Sequence, residues 1–118
     1  MVIKKIFKRV AILSFILLIL NFRIFKVQGD SMYPTLSEGD WVLTTNLFQH
    51  NNLDGKIVVA YTDILDLNTY IIKRVNYIKN GKFYLISDNN GNHLDSGVLG
   101  GLDSKSIKYK VICVLKWQ

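Results

Sequence analysis

Two residues in this chain have the type and setting that acyl-transfer chemistry requires. Ser31 lies in the run Gly29-Asp30-Ser31-Met32-Tyr33-Pro34-Thr35-Leu36, and Lys73 lies in Tyr70-Ile71-Ile72-Lys73-Arg74-Val75. A serine between a glycine and the chain's single proline is held on a stiff turn: Pro34 fixes its own φ, and Gly29 permits close approach or a positive φ. A serine hydroxyl near neutral pH is a weak nucleophile and needs a base, for which the chain offers His50, His93 or a lysine. Lys73 is favoured. Strand alternation puts it on one face with Ile71 and Val75, and an amine among apolar neighbours is pushed toward its neutral, proton-accepting form. An edge-strand lysine pointing at solvent is the alternative that alternation leaves open. His93 and Asp95, two apart in a turn-rich stretch, suit a solvent-facing loop better than a catalytic triad, as does His50 in Gln49-His50-Asn51-Asn52.

The elements that must position these residues fit in one small domain with an appendage, since 118 residues support a single modest core. The net charge of +6 is confined to one end. Residues 1–26 carry Lys4, Lys5, Lys8, Arg9, Arg23 and Lys26 with no acid, whereas residues 27–118 hold nine basic and nine acidic side chains. The neutral globular part removes the main support for nucleic-acid binding. One cysteine, Cys113, excludes an internal disulfide, and neither it nor the two histidines have metal-ligand spacing. No metal or cofactor is expected, and Cys113 reads as a small apolar residue of the last strand.

Residues 10–22 (VAILSFILLILNF) are apolar except Ser14 and Asn21 and follow four basic residues. Thirteen helical residues span roughly 20 Å against a hydrocarbon core of ~30 Å. Ile6, Phe7, Ile24 and Phe25 extend the length if Lys8, Arg9 and Arg23 snorkel to the headgroups. The expectation is an uncleaved single-pass anchor over residues 1–23, with the N-terminus cytoplasmic and the rest on the outer face. A buried amphipathic helix does not need apolar residues on every side, and signal cleavage near Gly29 would leave Ser31 almost at the new N-terminus.

Residues 24–118 read as an all-β domain. Expected strands are 40–45, 56–61, 70–77, 83–87 and 108–116, rich in Val, Ile, Tyr and Phe. Asn80-Gly81 between two of them is a two-residue hairpin signal, because a type I′ turn needs positive φ at both central positions. The stretch 63–68 reads as a strand end whose Ile64, Leu65 and Leu67 pack on the core, or else as a loop touching a membrane surface.

The eight-residue run around Ser31 resembles the nucleophile box of type I signal peptidases, membrane-bound serine proteases with a Ser/Lys dyad. Lys73-Arg74, about forty residues later, resembles that family's Lys-Arg box. Ser87-Asp88-Asn89 with Asp95-Ser96 resembles, in weakened form, the segment that supports the dyad. Two positions depart from the family: His93 stands where many members have a serine bonded to the lysine, and Gly97 stands where an arginine usually pairs with the aspartate.

The resemblance implies a compact signal-peptidase- or LexA-like β-barrel behind one transmembrane helix. Ser31 would be nucleophile and Lys73 general base. Ser31, Gly29, Met32 and Pro34 would form the oxyanion and substrate-binding part, with the Ser31 N–H as donor. Arg74, Asp88, Asn89, Asp95 and Ser96 would support the dyad. The implied partners are signal peptides of exported preproteins with small residues before the cut, the lipid membrane, and the export machinery. The rival expectations are a LexA-like self-cleaving regulator, for which no helix-turn-helix is visible, and a catalytically inactive membrane-held interaction subunit, which retention of Ser31 and Lys73 disfavours.

Overall fold

The computed structural model describes residues 2–63, 68–91 and 99–116. Ile64, Leu65, Leu67, His93, Asp95, Ser96 and Gly97 therefore lie outside the described residues. One helix, α1 (Val2–Ile19), precedes seven strands: β1 (Phe22–Lys26), β2 (Trp41–Thr45), β3 (Ile57–Thr62), β4 (Thr69–Lys79), β5 (Lys82–Ile86), β6 (Leu102–Asp103) and β7 (Ile107–Leu115). They form one antiparallel sheet in the order β1-β2-β7-β3-β4-β5-β6. The five expected strands are all present within a residue or two of their expected ends. The β4–β5 hairpin turns on Asn80 (φ 54) and Gly81 (φ 74), the two positive φ values that a type I′ turn needs.

The transmembrane expectation is not supported. Among the described residues no helix is long and apolar enough to cross a membrane. The helix stops at Ile19 because the Asn21 side-chain amide donates to the Leu17 carbonyl at 3.1 Å, after which the chain turns into β1. Arg23, Ile24 and Phe25, expected to flank an anchor, belong instead to a strand whose pairing runs from Phe22 opposite Thr45 to Lys26 opposite Trp41. Lys4, Lys5, Lys8 and Arg9 fill the first half of α1, so its apolar part is confined to residues 10–19, about 15 Å of helix. None of α1 is buried against the sheet.

Alternation along the strands sorts the apolar residues into two clusters. Val58, Ala60, Val75, Phe83, Leu85, Leu102 and Ile107 form one with Leu53, and Ile71 packs against it. Val27, Met32, Leu36 and Val42 form the other, against which Phe25, Ile57, Ile72, Val111 and Val114 pack. Neighbours Ile71 and Ile72 join different clusters, as a period of two requires.

The sheet coils toward a barrel without closing by strand pairing among the described residues. β1 and β4 are separated by three strands in the order, yet Phe25 and Tyr70 bring their ring centres to 5.3 Å and Arg23 donates to the Tyr70 hydroxyl at 3.1 Å. A gap is left between the two strands. Cys113 lies on β7 as expected, but exposed rather than in the core.

Leu85, almost fully buried, and Leu115, 58% exposed, separate packing from mere hydrophobicity. Leu85→Ala is expected to lower unfolding free energy by about 2–5 kcal/mol. Leu115→Ala is expected to change it by less than about 0.5 kcal/mol, both read from urea melts.

Candidate active site

Lys73 follows the open half of β4. β3 pairs with β4 from Thr62 opposite Thr69 to Ile57 opposite Arg74, whereas β5 joins β4 only from Arg74 onward. On the side toward β5, the backbone of residues 69–73 has no strand partner among the described residues. Among the described residues β1 likewise pairs with β2 alone. These two strand edges face each other across a cleft of about 560 Å³. Its walls are consecutive residues, 25–28 on one side and 69–73 on the other, with Ser31 and Met32 at the same cleft. Consecutive residues alternate between sheet faces, so walls built from them are strand edges rather than faces.

Ser31 and Lys73, forty-two positions apart in sequence, thus line one cleft. Lys73 is 5% exposed and sits opposite Val58, on the face of Ile71 and Val75, so the solvent-facing alternative does not hold. Its Nζ donates to the Ser87 hydroxyl at 2.7 Å, a buried hydrogen bond. Ser87 is the residue that sequence reasoning left without a role. The position expected to bond the lysine was that of His93. A bulge between Val75 and Tyr77 shifts the β4–β5 register by one, so that Val75 faces Leu85 and Ser87 comes level with Lys73. Counting back from the Asn80-Gly81 turn without a bulge would have placed Asp88 there.

Arg74, the next residue along, points to the other side and holds the nucleophile segment through Asp88. Its Nε donates to Asp88 Oδ1 at 2.8 Å, its Nη2 to Oδ2 at 2.7 Å, and its Nη1 to the Gly55 carbonyl at 2.7 Å. Thr35 adds its hydroxyl to Asp88 Oδ2 at 2.6 Å. Asn89 completes the clamp: its backbone N–H donates to the Ser31 carbonyl at 2.9 Å and its side-chain amide to the Asp30 carbonyl at 2.9 Å. Arg74 thus pairs with Asp88, while Gly97, which stands where the family usually has its arginine, lies outside the described residues. Thr35, two residues before Ser37 in the same turn, was another contact the sequence reading missed.

The remaining expected site residues are placed as follows. Gly29 has φ +78, a conformation open to glycine, and its N–H points to the Glu38 carboxylate at 3.5 Å. Met32 is 2% exposed, a core side chain that also forms cleft wall. Pro34 follows a cis peptide bond in the same turn. Lys116 holds the turn's far end, donating to the Thr35 carbonyl at 2.6 Å and to the buried Asp40 carboxylate at 2.9 Å. His50 is away from the cleft lining: its ring lies edge-on to Phe48 and Phe83 and its Nε2 is 3.1 Å from the Ser104 carbonyl. Among the described residues no cluster of His, Cys, Asp or Glu could hold a metal ion.

Hydrogen bonds from Arg74, and secondarily from Thr35, hold the Asp88 carboxyl below the usual aspartate range, against the opposing effect of burial. A carboxyl depressed in the folded state contributes stability that is present above the unfolded value of about 3.9 and is lost as pH falls through the lower folded value. Asp88→Asn is therefore expected to cost about 1–3 kcal/mol at pH 7 and to flatten the loss of stability below pH ~4, measured by urea melts at pH 7, 5 and 3.

The model of the Peptidase S24-like family matches residues 20–97, which contain Ser31, Lys73, Arg74, Ser87, Asp88 and Asn89. No curated protein matches the chain significantly. The match is to this wider family and not to signal peptidases in particular. Covering more than half of the chain, it agrees with the mostly antiparallel sheet and with the cleft shared by Ser31 and Lys73, and the chain belongs to the Peptidase S24-like family.

Proposed function

We propose that the chain is a membrane-held serine endopeptidase that removes signal peptides from exported preproteins, with Ser31 as nucleophile and Lys73 as general base. The observation that carries this reading is the placing of Ser31 and a buried Lys73 in one cleft whose two walls are strand edges with no strand partner among the described residues. An extended peptide inserted between β1 and β4 finds main-chain donors and acceptors on both sides, which is how a sheet edge recognises sequence-diverse segments. Hydrogen bonds to its backbone would give register, and small residues before the cut are what the resemblance to signal peptidases implies.

Burial disfavours the Lys73 ammonium, and the Ser87 contact fixes where its Nζ sits. The neutral amine takes the Ser31 proton as Oγ attacks the scissile carbonyl carbon. The tetrahedral oxyanion is received by the Ser31 N–H, held by the Asn89 contacts on either side of Asp30 and Ser31. Lys73 returns the proton to the departing amine as the C–N bond breaks. Water then attacks the Ser31 ester, with Lys73 again taking and returning the proton.

The membrane part of the reading rests on α1. Its residues 10–19 are apolar apart from Ser14 and exposed on every side, and Lys4, Lys5, Lys8 and Arg9 precede them. Such a helix fits partial insertion into one leaflet with its basic half among anionic headgroups. This would hold the cleft near the membrane where a preprotein's cleavage site emerges. The export machinery is the expected source of the substrate.

With a signal-peptide-bearing preprotein in liposomes, the wild-type chain is expected to cut after a small residue. Ser31→Ala and Lys73→Ala are each expected to lower the rate by about 10³-fold or more. Ser87→Ala is expected to lower kcat by about 10²-fold with little change in KM, because the amine is displaced rather than removed. A wild-type chain that cuts only its own backbone would replace preprotein cleavage with self-cleavage by the same dyad.

A further inference from the structure

The end of the cleft away from Ser31 and Lys73 is built differently from the rest. There Arg23 of β1 lays its guanidinium over three rings, 4.6 Å from the centre of Phe25, 4.7 Å from Tyr70 and 5.9 Å from Tyr109. Phe25 also meets Tyr109 at 5.5 Å, and Tyr61 meets Tyr70 at 5.0 Å. Phe25 and Tyr70 are themselves cleft wall. These contacts join β1, β4 and β7 where no ladder does among the described residues.

A guanidinium packed on aromatic faces and bonded to the Tyr70 hydroxyl is held in one orientation while its outer edge stays in solvent. The wall it belongs to, Phe-Arg-Ile-Phe-Lys, carries a second cation in Lys26 and no acid. Lys26 also lines the cleft. From Lys73 to Tyr70 is three strand residues, roughly 10 Å. The portion of substrate that must stay bound through both chemical steps is the acyl side, so the built groove serves that side.

Resting on the reading of this cleft as a peptide groove, we propose that Arg23 determines specificity at the groove's far end. In this proposal the Arg23–Phe25–Tyr70–Tyr109 cluster receives the fourth residue before the scissile bond and favours a carboxylate there over a basic side chain. The planar, pre-oriented guanidinium offers paired donors to a carboxylate, and a lysine at that place would meet the like charge of Arg23.

The test uses fluorescein-labelled peptides with small residues first and third before the cut, differing only in Glu or Lys at the fourth. Binding to the full-length Ser31→Ala chain is read by anisotropy in nonionic detergent, so no turnover is needed. The Glu peptide is expected to bind roughly three- to tenfold more tightly, with the ratio shrinking between 0.05 and 0.5 M salt. The ratio should invert in Ser31→Ala/Arg23→Glu and keep its sign in Ser31→Ala/Arg23→Lys, which also serves if the charge reversal does not fold. Equal binding of the two peptides, a preference that survives Arg23→Glu, or binding of neither peptide overturns the proposal. Wild-type cleavage of the same peptides is read separately: a Glu preference in binding with no cleavage of either would reject the peptidase reading and leave the subsite standing.

Discussion

The site depends on one carboxylate. Asp88 is gripped at both oxygens by Arg74 and at one of them by Thr35, so it ties β4, the segment after β5 and the turn that carries Ser31 into a single body. Asn89 then holds the carbonyls of Asp30 and Ser31. Without this clamp, Ser31 would ride on a turn attached to the sheet mainly by its apolar side chains, Val27, Met32 and Leu36. Alternation makes the arrangement economical. Lys73 and Arg74 are neighbours on opposite faces, and one enters the cleft while the other fixes the clamp that brings Ser31 to the same place.

The second constraint is an unfinished sheet. Among the described residues β5 reaches β4 only from Arg74 onward and β1 has one strand partner, so two edges face each other where a peptide strand would complete the barrel. Exposed edges invite unwanted pairing, and this opening is bridged at its end by Arg23 and its three aromatic neighbours. Lys73 can be both buried and part of the cleft lining because it stands at the end of the open stretch, with Ser87 accepting its hydrogen bond from the segment where β5 ends.

Much of this was legible before any coordinates. Apolar alternation located five strands, Asn80-Gly81 located the hairpin, and the face shared by Ile71, Lys73 and Val75 marked the lysine as buried. What was not legible has physical reasons. A bulge between Val75 and Tyr77 moves the hairpin register by one, and sequence does not show bulges, so the contact of Ser87 with Lys73 was not foreseen. Arg23-Ile24-Phe25 continues an apolar run that began in a helix, and only the Asn21 contact to the Leu17 carbonyl shows where helix gives way to strand. The anchor therefore reads longer in sequence than the helix is. Arg74 and Asp88 were both expected to support the dyad, but their pairing with each other depends on the same register.

The measurement that tests the Ser/Lys account most directly is trapping of the acyl-enzyme. A peptide thioester with small residues before the reactive carbonyl would be mixed with the full-length chain, quenched in acid within seconds, and the protein mapped by mass spectrometry. The account predicts one acyl group, on Ser31, absent from Ser31→Ala and formed far more slowly in Lys73→Ala. An adduct on another residue, or no adduct while the peptide is still hydrolysed, would contradict it.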